Sequence, residues 1–160
     1  MKTLLLLRHA KSPHPSGVAD RDRPIVPEAG RRVARLAREL AAAGVVPDLV
    51  LSSDAARALA TARLYAAAVQ APEPMAQPRL YAPGSPEAIL EAIQACGTAA
   101  EVLLVVAHNP GLEELGNLLT LRPVLGPMEA GALALFMADI DSWADLRPGR
   151  AGLRGSWSSR

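Results

Sequence analysis

Three polar clusters in this chain carry the residue types of phosphoryl-transfer chemistry, and each stands at the end of an apolar run. Arg8-His9 follows Leu4–Leu7, Ser52-Ser53 through Arg57 follows Leu49–Leu51, and His108-Asn109 follows Val102–Ala107. An imidazole is a nucleophile or proton carrier near neutral pH, and a guanidinium grips oxyanions through a rigid fork of N–H donors. Two histidines and two arginines brought together would form an anion-binding pocket that holds a potential nucleophile. Arg57 adds an electrostatic reason. In the first turn of a helix a cation faces the positive end of the macrodipole, at a cost of about 0.3 kcal/mol or more unless an anion is near. A bound phosphoryl group reverses that penalty, although solvent or a carboxylate would also answer it.

The clusters converge only if the runs before them are neighbouring strands. Thr3–Leu7, Leu49–Leu51 and Val102–Ala107 are rich in Leu and Val, and helical spacing lies between them, the alternation of βαβ units around a parallel sheet. In such a sheet the turns after successive strands emerge at one carboxyl edge, where ligands bind. Val33, Leu36, Ala37 and Leu40 recur at i, i+3, i+4 and i+7, with Arg31, Arg32, Arg35 and Arg38 between them, so residues 28–43 form an amphipathic helix that Gly44 stops. Ser52 or Ser53 caps a second helix over Asp54–Val69. A third begins with Asn109 as cap and Pro110 at the first helical position, and Ser85–Gln94 forms a short one with Ser85 capping and Pro86 first. Ala71–Pro78 reads as a proline-rich loop. Gly131–Ala138 reads as a strand and Ser142–Leu146 as another, joined through Asp139–Asp141 as an antiparallel addition at one edge. Pro148–Arg160 reads as a mobile, basic tail, so the domain is placed at residues 1–147. The fold class is α/β: a single-domain, three-layer α/β/α sandwich around a mostly parallel sheet with an antiparallel edge.

Composition narrows the partners. Seventeen basic against 16 acidic side chains leave a net charge of +1, too little to draw polyanions or a membrane surface, and aromatics at 3% offer few platforms for base stacking. The expectation is therefore no nucleic acid and no membrane partner. Met1–Leu7 imitates a leader, but Arg8-His9 cuts the apolar region short of the roughly 7–15 residues a signal needs, so a cytoplasmic protein is expected. Cys96 is the only cysteine, read as a small buried hydrophobe in a reducing compartment. No metal is expected: there are three histidines and one cysteine, without an HxxxH or CxxC pair, and His14 reads as an exposed bystander. No cofactor is expected either, because neither GxxxxGK[ST] nor GxGxxG is present.

Four ordered segments resemble the histidine phosphatase superfamily: Arg8-His9-Ala10, Asp22-Arg23-Pro24 with Gly30, Ser52-Ser53 through Arg57 and Thr61, and Ala107-His108-Asn109-Pro110-Gly111. The Arg-His-Ala-Lys-Ser run, the short chain, Leu80-Tyr81 and His-Asn-Pro-Gly resemble its SixA-type phosphohistidine phosphatase branch. The resemblance spans most of residues 3–145 and implies a phosphoglycerate-mutase-like fold and a two-step phosphoryl transfer without metal. His9 would be the nucleophile, Arg8 and Arg57 would clamp the equatorial oxygens, and His108 would add a donor, with Asn109 as a further phosphate contact. Lys11 and Ser12 would border the pocket.

The chain departs from the pattern at one point. Relatives that act on phosphate esters supply a carboxylic acid for an alcohol leaving group, whereas Arg79–Glu87 has no acid beside Leu80; Asp20, Asp22 and Glu87 are the candidate acids within reach. For Asp20 and Asp22, pairing with Arg21 and Arg23 or solvation is the plainer reading. An imidazole leaving from phosphohistidine demands far less of an acid, so the expected function is removal of phosphate from a His-phosphorylated signalling or phosphotransfer protein. The short connection leaves no lid, which suits a side chain presented by another protein. The alternatives are a broad small-molecule phosphomonoesterase and a noncatalytic phosphate-binding regulatory module, against which stands His9, unnecessary for mere binding.

Overall fold

The computed structural model describes residues 1–96 and 99–158. Its ten principal elements are β1 (Lys2–Arg8), α1 (Pro27–Ala42), β2 (Leu49–Ser52), α2 (Ala56–Val69), β3 (Met75–Ala76), α3 (Pro86–Gln94), β4 (Val102–Ala107), α4 (Gly111–Thr120), β5 (Leu133–Ala138) and β6 (Ala151–Trp157). The strands form one sheet in the order β3-β2-β4-β1-β5-β6, parallel from β3 to β1 and antiparallel at β5 and β6. This is the three-layer α/β/α sandwich with an antiparallel edge that the alternation of runs implies.

Side-chain alternation along the strands divides the core in two. Leu4 and Leu6 of β1 with Leu103 and Val105 of β4 face α3 and α4, while Leu5, Leu7, Leu104 and Val106 face α1 and α2. Burial on both faces is what makes these strands continuous apolar runs rather than alternating ones. On α1 the inward stripe is Val33, Leu36, Ala37 and Leu40, and Gly44, at φ +88°, turns the chain after the helix. Cys96 is partly buried against the α3–α4 core. Among the described residues no helix is long and apolar enough to cross a membrane.

Three local expectations change. Ala71–Pro78 contains a two-residue strand, β3, aligned on Leu51 and Ser52. The Ser142–Leu146 segment is a single 3-10 turn at Trp143–Asp145, capped by the Ser142 hydroxyl, with Trp143 buried and donating its indole N–H to the Ala100 carbonyl at 2.8 Å. Neither serine caps α2. Its N-cap is Ala55, and Ser53 Oγ accepts instead from the Ala55 amide.

The largest correction concerns the end of the chain. Ala151–Trp157, expected as a tail beyond a domain of residues 1–147, is β6, antiparallel to β5. Its register shifts opposite Leu135/Phe136, where Gly155 pairs Leu135 and Leu153 pairs Phe136, leaving Arg154 as the extra residue. Such a bulge moves the following side chains to the other face. Leu153 accordingly packs on the α3–α4 core and Trp157 on the α1–α2 core. Glycine-rich composition and the bulge together hide the strand's alternation.

Candidate active site

Strand register builds the site. Arg8 aligns with Ala107 across β1 and β4, and Ser52 aligns with Val106 across β2 and β4. The next residues, His9, His108 and Ser53, therefore leave the sheet side by side at its carboxyl edge. The His9 and His108 rings lie 5.2 Å apart between centroids, and Ser53 Oγ is 2.8 Å from His108 Nε2.

His9 lies on the floor of the site with 7% of its surface exposed. Its Nδ1 is 2.8 Å from the Ala10 carbonyl, which can only accept, so Nδ1 carries the hydrogen and the Nε2 lone pair is free. Burial is the main cause that pushes its pKa down to about 4; the bond to Ala10 opposes the shift, and the cations Arg57, Arg8 and Arg23 add to it. His108 is pushed down to about 3, chiefly by burial and next by His9 and Arg57. Both rings are neutral near pH 7. The Ser53 hydroxyl accepts from the Ala55 amide at 3.1 Å and lies within hydrogen-bond distance of His108 Nε2 at 2.8 Å, which fixes the orientation of the His108 ring.

Arg8 is anchored by one guanidinium nitrogen, Nη1, to the Met128 carbonyl at 2.7 Å, while its buried Nε has no protein partner. Arg57 is 7% exposed and likewise has a buried, unpartnered Nε. Two arginines with unused donors beside two neutral imidazoles form a receptor for a tetrahedral oxyanion. Thr61, a turn along α2, locks the two halves together. Its hydroxyl donates to the Arg57 carbonyl at 2.7 Å and accepts from the Ala10 amide at 2.9 Å, tying the residue after His9 to the helix that carries Arg57.

Asp20 stands at the mouth with its side chain 52% exposed. Oδ2 accepts from Arg57 Nη2 at 3.1 Å and from the Tyr81 hydroxyl at 2.7 Å, Oδ1 accepts from Arg23 Nη1 at 2.8 Å, and the Asp20 carbonyl accepts from Arg57 Nη1 at 2.7 Å. The Tyr81 bond, then the Arg23 bond, hold the carboxyl well below the usual carboxylate range, with Arg57 contributing further. Asp20 is thus held as an anion, and its pairing with Arg23 agrees with its plainer reading. It also answers the dipole argument, because the carboxylate near Arg57 belongs to the protein itself.

Asp22 and Glu87 lie exposed, and no hydrogen bond ties either of them to the four clustered residues. Pro110 is the N-cap of α4 rather than its first helical residue; Asn109 still serves the helix end through Oδ1, accepting from the Glu113 amide at 3.2 Å. Its Nδ2 is 3.4 Å from the Met128 carbonyl that anchors Arg8, so Asn109 stands behind the clamp. Ser12 donates to the Pro24 carbonyl, Lys11 is exposed, and His14 is exposed as expected. A cavity of about 600 Å3 lies between α1, the Glu129–Gly131 turn and Trp157, touching the site only through Ala10 and Lys11. The site is defined by convergent side chains at an open edge instead.

Tyr81 and Arg23 are the members that residue chemistry alone overlooks. Tyr81 sets its ring edge-on to His108 at 5.5 Å and beneath the Arg21 guanidinium at 4.8 Å. Arg23 staples the loop below it, donating to the Ser12 and Pro13 carbonyls as well as to Asp20. Their only signal in the sequence is their place in the family-like segments.

Fold and site together define an α/β phosphoryl-transfer enzyme of phosphoglycerate-mutase-like architecture. The family described as histidine phosphatase superfamily (branch 1) matches residues 4–81. An uncharacterized protein of Mycobacterium tuberculosis, Rv1276c, is 35% identical over 161 residues, covering 93% of this chain and 97% of its own. A structure assigned as phosphohistidine phosphatase SixA from Nakamurella multipartitia is 29% identical with a TM-score of 0.80, covering 98% of this chain and 95% of that one. The protein histidine phosphatase SixA complexed with tungstate shares the fold at a TM-score of 0.81 and 21% identity, covering 98% and 97%. The chain belongs to the histidine phosphatase superfamily, in its SixA-type branch, and its activity class is that of a phosphatase.

Proposed function

We propose that this chain removes the phosphoryl group from a phosphohistidine side chain presented by a signalling or phosphotransfer protein. The observation that carries this reading is the mouth of the site. The segment after β3 sets Tyr81 against His108, and Asp20, whose carboxylate is in contact with Arg57, is held ionised by Tyr81, Arg23 and Arg57. An alkoxide leaving group needs a proton that this mouth does not hold ready, whereas an imidazole leaves without one when its distal nitrogen already carries hydrogen. The open mouth suits a substrate side chain on a protein surface.

The chemistry is two displacements. His9 Nε2 attacks phosphorus and forms a P–N bond as the substrate's P–N bond breaks, its electron pair passing to the departing imidazole. The ring charge that develops on His9 is met by the Ala10 carbonyl at Nδ1. Arg8 and Arg57 hold the equatorial oxygens, and His108, neutral and positioned by Ser53, donates to one of them. Water then attacks the phosphoenzyme and releases inorganic phosphate.

The test is release of phosphate from a purified phosphohistidine protein in the presence of EDTA, comparing wild type with His9→Ala. Rapid wild-type release that vanishes in the variant supports the reading. Faster turnover of a sugar phosphate than of phosphohistidine would refute it, and phosphate binding with no trappable phosphoenzyme would leave a binding module.

A further inference from the structure

The Asp20–Tyr81 pair occupies the place where a leaving group departs, yet neither member has a proton to give. Displacement at phosphorus is in line, so the leaving group lies opposite the nucleophile. His9 forms the buried floor, and the outward direction leads to the half-exposed Asp20 and to Tyr81, whose ring touches His108. Asp20 is a carboxylate paired with the Arg57 and Arg23 guanidinium groups, and the Tyr81 proton is committed to it at 2.7 Å. A site that merely lacked an acid would be neutral here; this one presents an acceptor.

A carboxylate offers about four acceptor positions. Three on Asp20 are taken, two on Oδ2 by Arg57 and Tyr81 and one on Oδ1 by Arg23, which leaves one on Oδ1 of this half-exposed side chain. We infer that Asp20 Oδ1 accepts a hydrogen bond from the distal ring N–H of the substrate's phosphohistidine and so selects a leaving group that brings its own proton. This inference rests on the phosphohistidine reading above. The balance is simple. The substrate ring, protonated on its distal nitrogen, loses the phosphoryl group to His9 Nε2, takes back the electron pair of the broken P–N bond, keeps its N–H and departs as neutral imidazole. Without that proton the leaving group would be an imidazolate. A fixed anion at the N–H favours the protonated ring, and the same anion gives no help to an ester oxygen and repels a leaving group that gathers negative charge.

Arg57 is tied to Asp20, so an Asp20 variant also loosens the clamp, and two substrates separate the effects. Free phosphohistidine and 4-nitrophenyl phosphate are compared on wild type, Asp20→Asn and Tyr81→Phe, with thermal unfolding checked for each. Loosening of Arg57 lowers both substrates by one factor. The proposed contact lowers kcat/KM for phosphohistidine by about tenfold more than for the aryl ester, the scale of a charge-assisted hydrogen bond. Tyr81→Phe keeps the anion and keeps the preference. The pH profile gives a second readout: the alkaline fall of phosphohistidine turnover, as the distal nitrogen loses its proton, moves to lower pH in Asp20→Asn. Equal losses on both substrates with an unmoved profile overturn the inference while leaving the phosphohistidine reading intact. A wild type that turns over the aryl ester but not phosphohistidine overturns that reading, and the role of Asp20 with it.

Discussion

Acidification tests whether His9 is the buried, neutral nucleophile that its surroundings imply. An ordinary imidazole with a pKa of 6.5 would be only about 9% neutral at pH 5.5 and would lose roughly tenfold in attacking power. His9, pushed down to about 4, is still about 97% neutral there. With 4-nitrophenyl phosphate, which brings no imidazole of its own to titrate, the rate of phosphoenzyme formation under saturating substrate, read by rapid quench, should therefore be nearly flat from pH 7.5 to 5.5. The His9 ring signals in 15N-labelled protein should titrate near 4. Burial is the first cause of the shift, ahead of the arginines, so Arg23→Gln should raise the midpoint by only a fraction of the displacement. Inorganic phosphate should raise it as well, since a bound dianion favours the charged ring. Stability follows with a definite sign. Between 4 and 6.5 the unfolded chain binds a proton that native His9 refuses, so unfolding free energy falls as the pH is lowered through that window. The loss is on the order of 3 kcal/mol from His9, and His108, pushed down to about 3, adds in the same direction. A free-protein midpoint near 6.5, or an Arg23→Gln variant restored to 6.5, would refute the assignment of the shift to burial.

Three further outcomes follow from the packing. Thr61→Val strips a fully buried hydroxyl and orphans the Ala10 amide, so it should cost about 1–3 kcal/mol in urea unfolding, with Thr61→Ser restoring most of it. Truncation after Arg150 removes β6, bares the edge of β5 and uncovers both cores, so the product should be aggregated or strongly destabilised by light scattering and thermal melts, whereas a tail would be dispensable. Gly111→Ala would drive a Cβ into the Gly84 carbonyl, with Ile89 Cδ1 at 3.1 Å behind it. This separates the start of α4 from the turn that carries Tyr81, so activity should fall even in molecules that remain folded by circular dichroism.

The legible part of this protein is the part in which chemistry and strand pattern coincide. Arg8, His9 and His108 stand at the ends of strands that announce themselves as apolar runs, Arg57 stands in the first turn of the helix that follows β2, and parallel pairing between those strands is enough to gather them. What the sequence conceals has a different physical origin in each case. β6 is hidden because its glycines supply no apolar stripe and its bulge at Arg154 breaks the alternation, so a structural strand reads as a tail. Ser53 reads as a cap because hydroxyls at strand ends usually serve a helix, but here the hydroxyl accepts from Ala55 and is spent on His108. Asp20 is the deepest case. As a residue type beside a phosphate site it suggests an acid, and only the three-dimensional meeting of Arg57, Arg23 and Tyr81 turns it into a permanent anion. A carboxyl's role depends on its partners, and these come from three separate segments of the chain. The proposed nucleophile and clamp can thus be read locally, whereas the proposed discrimination among leaving groups arises only where the loop at Asp20, the first turn of α2 and the turn at Tyr81 meet.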